Sequence, residues 1–401
     1  MRILKKIIVI NLLIFLSLVF SLSSCGTAGN IAGKSAGQNI STHESLVRAV
    51  GSAVKVEITG RILYITGTNG DDNIEIQETD SGIVVHSLNG EIYSFPKNQI
   101  SEVVVWGLDG NDTIKNMHNG VYNSITFTAY GGNGNDCIWG GSGKNILHGG
   151  NGDNMIIGGT GANVFHNTGH GSSVFFWRGN ADSWALGSRA DYNDAQLVFY
   201  NKDRTGKTSG KVMNKSYGYV TWTDEDLSVV IDAITYIYGF TGSYRYAHNP
   251  KSGVRDGSNY FVLFDYPEYV FFARNNGATS TIQLKRGTYT KSTIIHELAH
   301  NWQGTAKGKY DKVSHYKSLQ DLWNEFRNIS WTAINEKKPD ASTEDFASDY
   351  GMTNWGEDWC TTFETVFKLA EPSSRYGKSP KWNQKTDVVK RFLDRLAILN
   401  W

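Results

Sequence analysis

Four glycine-rich nonapeptides follow one another without a gap in the middle of the chain. Each has Gly at its first, second and fourth places and a large apolar residue at its eighth. They read GGNGNDCIW, GGSGKNILH, GGNGDNMII and GGTGANVFH, starting at Gly131, Gly140, Gly149 and Gly158. Glycine permits the positive φ angles of a tight turn, and the short apolar stretch predicts a strand whose eighth residue packs on the next coil. The eighth places hold Ile138, Leu147, Ile156 and Phe165.

Two isolated copies precede this block, GTNGDDNIE from Gly67 and GLDGNDTIK from Gly107. Between the copies, residues 54–59, 82–88, 102–106 and 125–130 alternate apolar and polar side chains or form apolar runs, as strands do. Turns and strands together predict a right-handed parallel β-solenoid, or β-roll, over residues 51–175.

The block closely resembles the repeats-in-toxin calcium β-roll. The resemblance implies that the sixth-place carboxylates Asp72, Asp112 and Asp136 bind Ca²⁺ together with turn carbonyls. The later copies differ, because their sixth places hold neutral amides, namely Asn145, Asn154 and Asn163. For those three turns a calcium-independent solenoid, in which Asn caps each turn, is an equally good interpretation.

Charge and cysteine content exclude several classes of protein. The chain has 39 Lys+Arg and 39 Asp+Glu, and without Arg2, Lys5 and Lys6 of an expected leader the balance becomes 36 to 39, or −3. A weakly acidic chain is not held on nucleic acid by a basic patch. Three cysteines are too few for a disulfide scaffold. Cys137 is expected to be a small packed residue, and a pairing with Cys360 stays open.

The N-terminus has the pattern of an export signal. Residues 1–6 are basic and residues 7–20 are almost wholly apolar, but this run is short for a membrane span. The following Leu-Ser-Ser-Cys-Gly resembles the bacterial lipoprotein processing box, which implies a signal peptide at 1–24 and a lipid on Cys25. Residues 25–50 then form a flexible tether, and the protein faces outward from the outer membrane or cell surface. The alternative is an ordinary signal peptide with a chance cysteine.

Residues 292–303 read STIIHELAHNWQ and predict a metal-binding helix. Four apolar residues recur at helical spacing and form its buried stripe: Ile295, Leu298, Ala299 and Trp302. His296 and His300 then project together, one turn apart, as two ligands of one Zn²⁺. Glu297 lies between them and can take a proton from the activated water.

A catalytic zinc needs a third protein ligand and one open position. Gln303 and Ala306 stand where a metzincin requires Gly and a third His, so that subclass is excluded. Downstream, a second helix is predicted from about Trp355 with Asn354 as its cap, and Glu357 lies in its first turn. Asp345 is a rival third ligand with a faint likeness to the aspzincin pattern.

The stretch Tyr-Gly-x-Thr-Asn-x-x-Glu from Tyr350 resembles the ligand segment of the anthrax-lethal-factor-like metallopeptidases, a branch of the gluzincins. The resemblance implies that Glu357 completes the zinc site and that Tyr350 stabilises the oxyanion. It implies an α+β metallopeptidase domain over 224–401, joined to the roll by a connector at 176–223. This chain departs from the family at Cys360-Thr361, where the family has Ala-Glu. Glu364 can orient a ligand His, or it can be an exposed or capping carboxylate.

Two further elements are predicted around this site. Residues 224–238 form a packing helix, and residues 269–284 form a hairpin around an Asn-Asn-Gly turn. Residues 279–284 are predicted to line the cleft and to pair with an extended peptide substrate.

The sequence therefore predicts a multidomain chain, a β-roll followed by a gluzincin domain, that acts as a lipid-anchored zinc endopeptidase. Its expected partners are a protein or peptide substrate and, through Cys25, a membrane, with no nucleic acid; the chain is expected to be a monomer. The alternative is a calcium-binding surface adhesion or binding module with a degenerate peptidase domain.

Overall fold

The structure is a computed structural model. It describes residues 53–87, 90–166, 169–178, 182–184, 194–202, 205–212, 215–247, 258–265, 273–276, 281–303, 314–372 and 374–398. The predicted signal peptide, the tether and Cys25 lie outside the described residues. Within the described part of the chain, no helix combines the length and the apolar character needed to cross a membrane.

The described chain is mostly β-sheet in its N-terminal half and contains the glycine-rich repeats there. The first strands are β1 Lys55–Thr59, β2 Ile62–Thr66, β3 Asn73–Glu78, β4 Gly82–Ser87, β5 Ile92–Pro96, β6 Glu102–Asp109, β7 Thr113–Lys115, β8 Met117–His118, β9 Val121–Tyr122 and β10 Thr126–Asn133. The repeats and the segment after them form β11 Cys137–Trp139, β12 Asn145–Asn151, β13 Met155–Ile157, β14 Asn163–His166, β15 Val174–Trp177, β16 Ser183–Trp184 and β17 Ala195–Val198. The remaining strands are β18 Ser209–Val212, β19 Lys215–Val220, β20 Ser258–Phe264, β21 Ala273–Asn276, β22 Thr281–Lys285, β23 Trp331–Ala333 and β24 Glu336–Lys337.

The repeats alternate between two sheets. Sheet 1 has the order β1-β2-β6-β10-β12-β14-β16, and from β2 onward its neighbours are parallel. Sheet 2 receives the intervening strands β3, β7, β11, β13, β15 and β17, also in parallel. Each nonapeptide therefore adds one strand, alternately to sheet 2 and sheet 1, and every second repeat pairs in register, as Ile138 does with Ile156 and Leu147 with Phe165.

The core between the sheets contains the residues that the repeat pattern predicts. All four eighth-place side chains have no exposed surface and pack there: Ile138, Leu147, Ile156 and Phe165. The turns between the strands require glycine for two reasons. Several of these residues have positive φ angles, and a Cβ atom would collide with the backbone of the neighbouring turn. A Cβ on Gly134, at φ +134°, would lie 1.8 Å from the carbonyl oxygen of Gly110 in the preceding turn.

Sheet 2 continues without a break into the C-terminal half. Strand β17 lies between β15 and β20, and β20 pairs in turn with β22. The range 176–223, predicted as a connector, thus contains strands β16 to β19, of which β17 and β19 pair with β20.

Five helices cover this part of the described chain: α1 Asp224–Thr241, α2 Lys291–Asn301, α3 Ser314–Ser330, α4 Trp355–Val366 and α5 Pro380–Ile398. Helix α1 begins at a Thr223 capping box and ends at Gly242, which has φ 70°. Its apolar face shares one core with the outer side of sheet 2, including Trp139 and Phe176, and with α2 to α5. The repeats and the helices are therefore packed on the same sheet, and the predicted packing helix is confirmed.

Candidate functional site

Helix α2 presents the two histidines as the sequence predicts. The side chain of Thr290 accepts a hydrogen bond from the Thr293 amide and begins the helix. The apolar stripe is fully buried, at 0% exposure for Ile295, Leu298 and Trp302. Burial of that stripe turns His296 and His300 toward α4, and His296 is only 8% exposed.

Helix α4 carries the predicted third ligand in its first turn. The Asn354 side-chain oxygen accepts hydrogen bonds from the amides of Gly356, at 2.8 Å, and Glu357, at 3.1 Å. This cap fixes the start of the helix, and aromatic contacts such as Trp302 to Phe363, 5.0 Å between ring centroids, fix its packing on α2. Glu357 therefore faces the two histidines from a rigid helix end.

The three predicted zinc ligands come together in space. Oε2 of Glu357 lies 3.0 Å from Nε2 of His296 and 3.4 Å from Nε2 of His300. Ligand atoms at about 2.0–2.1 Å from a tetrahedral zinc lie about 3.3 Å from one another. The donor set and its spacing therefore fit one zinc ion.

The pKa values of Glu357 and His296 are set by the close contact between the carboxylate and the two imidazoles. Burial acts to raise the pKa of Glu357, but hydrogen bonding from His296 and His300 outweighs it and holds the pKa well below its usual range. Burial likewise acts to lower the pKa of His296, whereas its contacts with Glu357 and Glu364 raise that pKa to about 10. The centre thus holds an ionised carboxylate against neighbouring imidazoles.

Glu297, the predicted base, is buried and has an unpaired oxygen. It is 5% exposed, and no described group forms a hydrogen bond with its Oε2. Burial is the main reason that its pKa is raised. The Asn275 side chain of β21 donates to the Glu297 carbonyl, at 3.0 Å, and to Asn301 Oδ1, at 2.7 Å, which ties α2 to the sheet edge.

Tyr350 lies in a short 3₁₀ helix, Tyr350–Met352, directly before the cap of α4. Its ring centroid is 5.9 Å from that of His296, and the side chain is 55% exposed. Partial burial of the hydroxyl, followed by the negative charge of Glu357, raises the pKa of Tyr350. The phenol therefore stays protonated on the solvent side of the centre.

Glu364 and Asp345 differ in their relation to the centre. Oε1 of Glu364 accepts a hydrogen bond from Ser292, at 2.7 Å, and lies 3.7 Å from Nδ1 of His296. That second distance exceeds a hydrogen bond, so the contact is electrostatic. Asp345 instead accepts from the Ser342 amide, at 3.0 Å, in a capping box. Glu357, not Asp345, thus takes the third position beside the histidine pair.

An ion pair supports α4 from the side away from the centre. Nζ of Lys385 donates to Oδ2 of Asp358 at 2.7 Å, both side chains have 0% exposure, and Trp331 donates to the same oxygen at 2.8 Å. Burial raises the pKa of Asp358 and lowers that of Lys385. Sequence reasoning missed this pair, because nothing in the chain marks a residue of α5 as a partner of α4.

Cys360 was also missed as a neighbour of the centre. Its Sγ and one ring nitrogen each of His296 and His300 lie within 4.8 Å of one another. Cys360 is fully buried and not in a disulfide, and Cys137 is likewise buried and outside any disulfide. The available signal was the spacing, since residues three apart in a helix share a face and Cys360 follows Glu357 by three.

The three aspartates that were predicted to bind calcium form a single buried ladder through successive turns. The Asp72 amide donates to Asp112 Oδ1 at 2.8 Å, and the Asp112 amide donates to Asp136 Oδ1 at 2.9 Å. The second oxygens of Asp112 and Asp136 are buried without a described partner. Burial raises the pKa of Asp112 to about 8 and that of Asp136 to about 7. Buried anionic oxygens without donors are the chemistry that a hard cation satisfies.

In the turns whose sixth residue is Asn, the side-chain amide donates hydrogen bonds to backbone carbonyls of the same turn. Nδ2 of Asn145 donates to the carbonyls of Gly141 and Gly143, at 3.1 and 3.0 Å, and Asn163 repeats this pattern in its own turn. The Asn154 amide does the same at 3.2 and 3.3 Å. The Asn side chains therefore cap the carbonyls of their own turns, in agreement with the Asn-capping interpretation.

The predicted substrate strand needs a correction. The hairpin exists, since β21 pairs with β22 in antiparallel register. However, β22 also pairs with β20, so both sides of residues 281–284 are already hydrogen-bonded. Among the described strands β21 is the edge that borders α2, and residues 279 and 280 lie outside the described residues. The pattern identified the hairpin but not which of its strands lies at the edge.

Comparison with known families finds one match. Residues 130–165 match the model of the RTX calcium-binding nonapeptide repeat in four copies. Asp136 and the three amide turns lie inside this segment, whereas the copies at Gly67 and Gly107 lie outside it. Searches of curated proteins and of solved structures give no match.

Proposed function

We propose that this protein is a zinc-dependent endopeptidase of the gluzincin type, in which a calcium-binding β-solenoid carries the catalytic part. The convergence of His296 and His300 on one oxygen of Glu357 is the observation that carries the proposal. Outward attachment through a lipid on Cys25 belongs to the same proposal and rests on the sequence of residues 1–25 alone.

Each residue of the centre has a role that its surroundings support. His296, His300 and Glu357 would hold the zinc, which would supply an acidified water molecule and polarise a peptide carbonyl. Glu297 would accept the proton of the attacking water and return it to the leaving amine, and no described hydrogen bond competes for its buried Oε2. Tyr350 donates a hydrogen bond to the developing oxyanion from the solvent side.

An extended peptide is the substrate class that the surroundings favour. Strand β21 presents the sheet edge beside α2, and Asn275 ties it to the carbonyl of Glu297. An added strand pairs its backbone with such an edge, which brings a peptide carbonyl alongside the metal-binding helix. Protein or peptide is therefore the proposed substrate.

Calcium binding by the repeats supports this function structurally. The family match at 130–165 and the partnerless oxygens of Asp112 and Asp136 both favour calcium. Because α1 and α2 share a core with the outer face of sheet 2, a roll ordered by calcium provides the platform on which the metal centre is built.

The test is metal content together with cleavage of a proteome-derived peptide library. The purified mature chain is expected to hold one zinc and to lose cleavage when zinc is chelated in excess calcium. Glu297→Gln should keep its zinc and lose at least about 100-fold in kcat/KM, the usual contribution of a positioned base. Glu344→Gln, an exposed carboxylate away from the centre, is the matched control and should cleave as wild type.

Two results decide against the proposal. Undiminished cleavage by Glu297→Gln would exclude the assigned mechanism. Substoichiometric zinc with no chelator-sensitive cleavage would favour the second candidate, a calcium-binding surface adhesion module with a degenerate peptidase domain, whose calcium binding the partnerless oxygens of Asp112 and Asp136 also support.

A further inference from the structure

Cys360 is positioned as a metal-binding group. Its Sγ and one ring nitrogen each of His296 and His300 are within 4.8 Å of one another, a separation that small side-chain rotations convert into shared coordination. The sulfur accepts a hydrogen bond from Gln303 Nε2 at 3.2 Å, and the same nitrogen donates to the Gly356 carbonyl at 2.7 Å. An amide fixed in this way supports a thiolate, as outer-shell donors do for metal ligands.

The surroundings of the sulfur also indicate a cation. Glu357 and Cys360, three residues apart on α4, project from one side of the helix toward the same imidazoles. The buried Oε2 of Glu297, for which no described partner exists, belongs to the same centre. Two imidazoles, two carboxylates and a thiol therefore belong to one centre, and this is a donor set that a borderline metal cation would satisfy.

We propose that the Cys360 thiolate is a fourth protein ligand of the metal, so that the resting centre has two nitrogen donors, one oxygen donor and one sulfur donor. This inference rests on the proposed function for the presence of the metal. When the sulfur–metal bond forms, the thiol proton passes to solvent, and no oxidant or reductant is involved.

A sulfur donor has two consequences. It favours zinc over calcium, because calcium prefers oxygen ligands; this matters in a chain whose roll carries calcium turns. It also closes the centre, because four protein ligands leave no position for water on a tetrahedral zinc. Peptide cleavage then requires Cys360 to leave the metal, so removal of the sulfur opens the site.

Cobalt(II) is the probe for this ligand. The full mature chain is freed of zinc, kept in excess calcium and given one equivalent of cobalt. A strong sulfur-to-cobalt charge-transfer band in the near-ultraviolet is expected for wild type. The same band is expected for the control variant Cys137→Ser, because Cys137 is buried in strand β11 and is not part of the centre. The band should be lost in Cys360→Ala. Zinc should also bind this variant at least about tenfold more weakly, since even the loss of an outer-shell partner lowers metal affinity about 10–100-fold. Cleavage per bound zinc should rise in this variant.

A second readout needs no variant and covers the case in which Cys360→Ala fails to fold. Alkylation of the wild-type chain, followed by mass spectrometry, should be slowed by zinc at least about tenfold more at Cys360 than at Cys137. Cobalt bound without the band, or equal slowing at both cysteines, overturns the inference and leaves the proposed metal site standing. Absence of bound cobalt overturns both.

Discussion

Oε2 of Glu357 lies 3.0 Å from Nε2 of His296, although 61 residues separate the two side chains in the chain. Two helix starts and one shared core produce this contact. The Thr290 capping box begins α2, the Asn354 cap begins α4, and both helices pack their apolar faces in the same cluster. The centre is therefore as rigid as the core behind it.

Glu364→Gln should weaken zinc binding about tenfold, near the lower limit for loss of an outer-shell partner. The carboxylate lies 3.7 Å from His296 Nδ1 and is held by Ser292, so the change removes a charge that favours the ligand orientation of the ring. Competition with a chromogenic chelator measures the affinity, and Glu371→Gln, an exposed carboxylate, is the control. Unchanged affinity in Glu364→Gln would show that the contact has no such role.

Tyr350→Phe should lower kcat by about 100-fold with little change in KM or zinc content, because an oxyanion donor acts mainly in the transition state. Steady-state kinetics on the best library peptide separate the two constants. Tyr64→Phe, which removes a hydroxyl from strand β2, serves as the control and should leave kcat and KM as in wild type. A change confined to KM would assign Tyr350 to substrate binding instead.

Calcium should stabilise the protein more near pH 8 than near pH 5. The folded pKa values, about 8 for Asp112 and about 7 for Asp136, exceed the unfolded value of about 3.9. Without calcium, the stability from these groups is therefore full below about pH 4 and is lost as the pH rises through 7 and 8. At a free calcium concentration of 100 times its Kd, each bound calcium adds about 2.7 kcal/mol to the free energy of unfolding. Thermal unfolding with calcium or with chelator, at pH 5 and at pH 8, measures the stabilisation by calcium. An equal stabilisation at the two pH values would contradict the prediction.

Asp112→Asn with Asp136→Asn should remove most of that calcium response and raise stability in chelator. The amides can then donate to the carbonyls of their own turns, as Asn145 and Asn163 do. Calorimetric calcium titration and thermal unfolding test the change, with exposed Asp80→Asn as control. A full calcium response in the double variant would place the calcium elsewhere.

Lys385→Met should destabilise the fold by about 3–5 kcal/mol, because it removes the cation that compensates the buried Asp358 carboxylate. Denaturant unfolding measures the loss, and Lys390→Met, on the exposed side of the same helix, should cost little. The loss should shrink when Asp358→Asn is added. A loss below about 1 kcal/mol in the single variant would mean that water or another group compensates Asp358.

Local pattern was enough to predict the strands of the repeats and helices α1, α2 and α4, whereas α3 and α5 were not predicted. The eighth places of the repeats predicted the core between the sheets, and helical spacing predicted the buried stripe of α2. The Asn354 cap, followed by Glu357 in the first turn, was also predicted, and α4 begins at Trp355. These features depend on neighbours within a few residues, which a sequence displays directly.

Contacts between distant segments could not be predicted in the same way. The two strands of one hairpin have similar patterns, and only the pairing of β22 with β20 decided that β21 lies at the edge. The Lys385–Asp358 pair joins two helices whose separate patterns say nothing about each other.

The sequence by itself determined the repeat geometry, the acidic turns and the side chains of the proposed metal centre, because spacing fixes which side chains share a turn or a helix face. Only the tertiary structure decided that Glu357 rather than Asp345 meets the histidines, that Cys360 lies beside them, and that the repeats and the helices share one sheet. Those outcomes depend on how buried surfaces of separate segments fit together, and no local pattern records that fit.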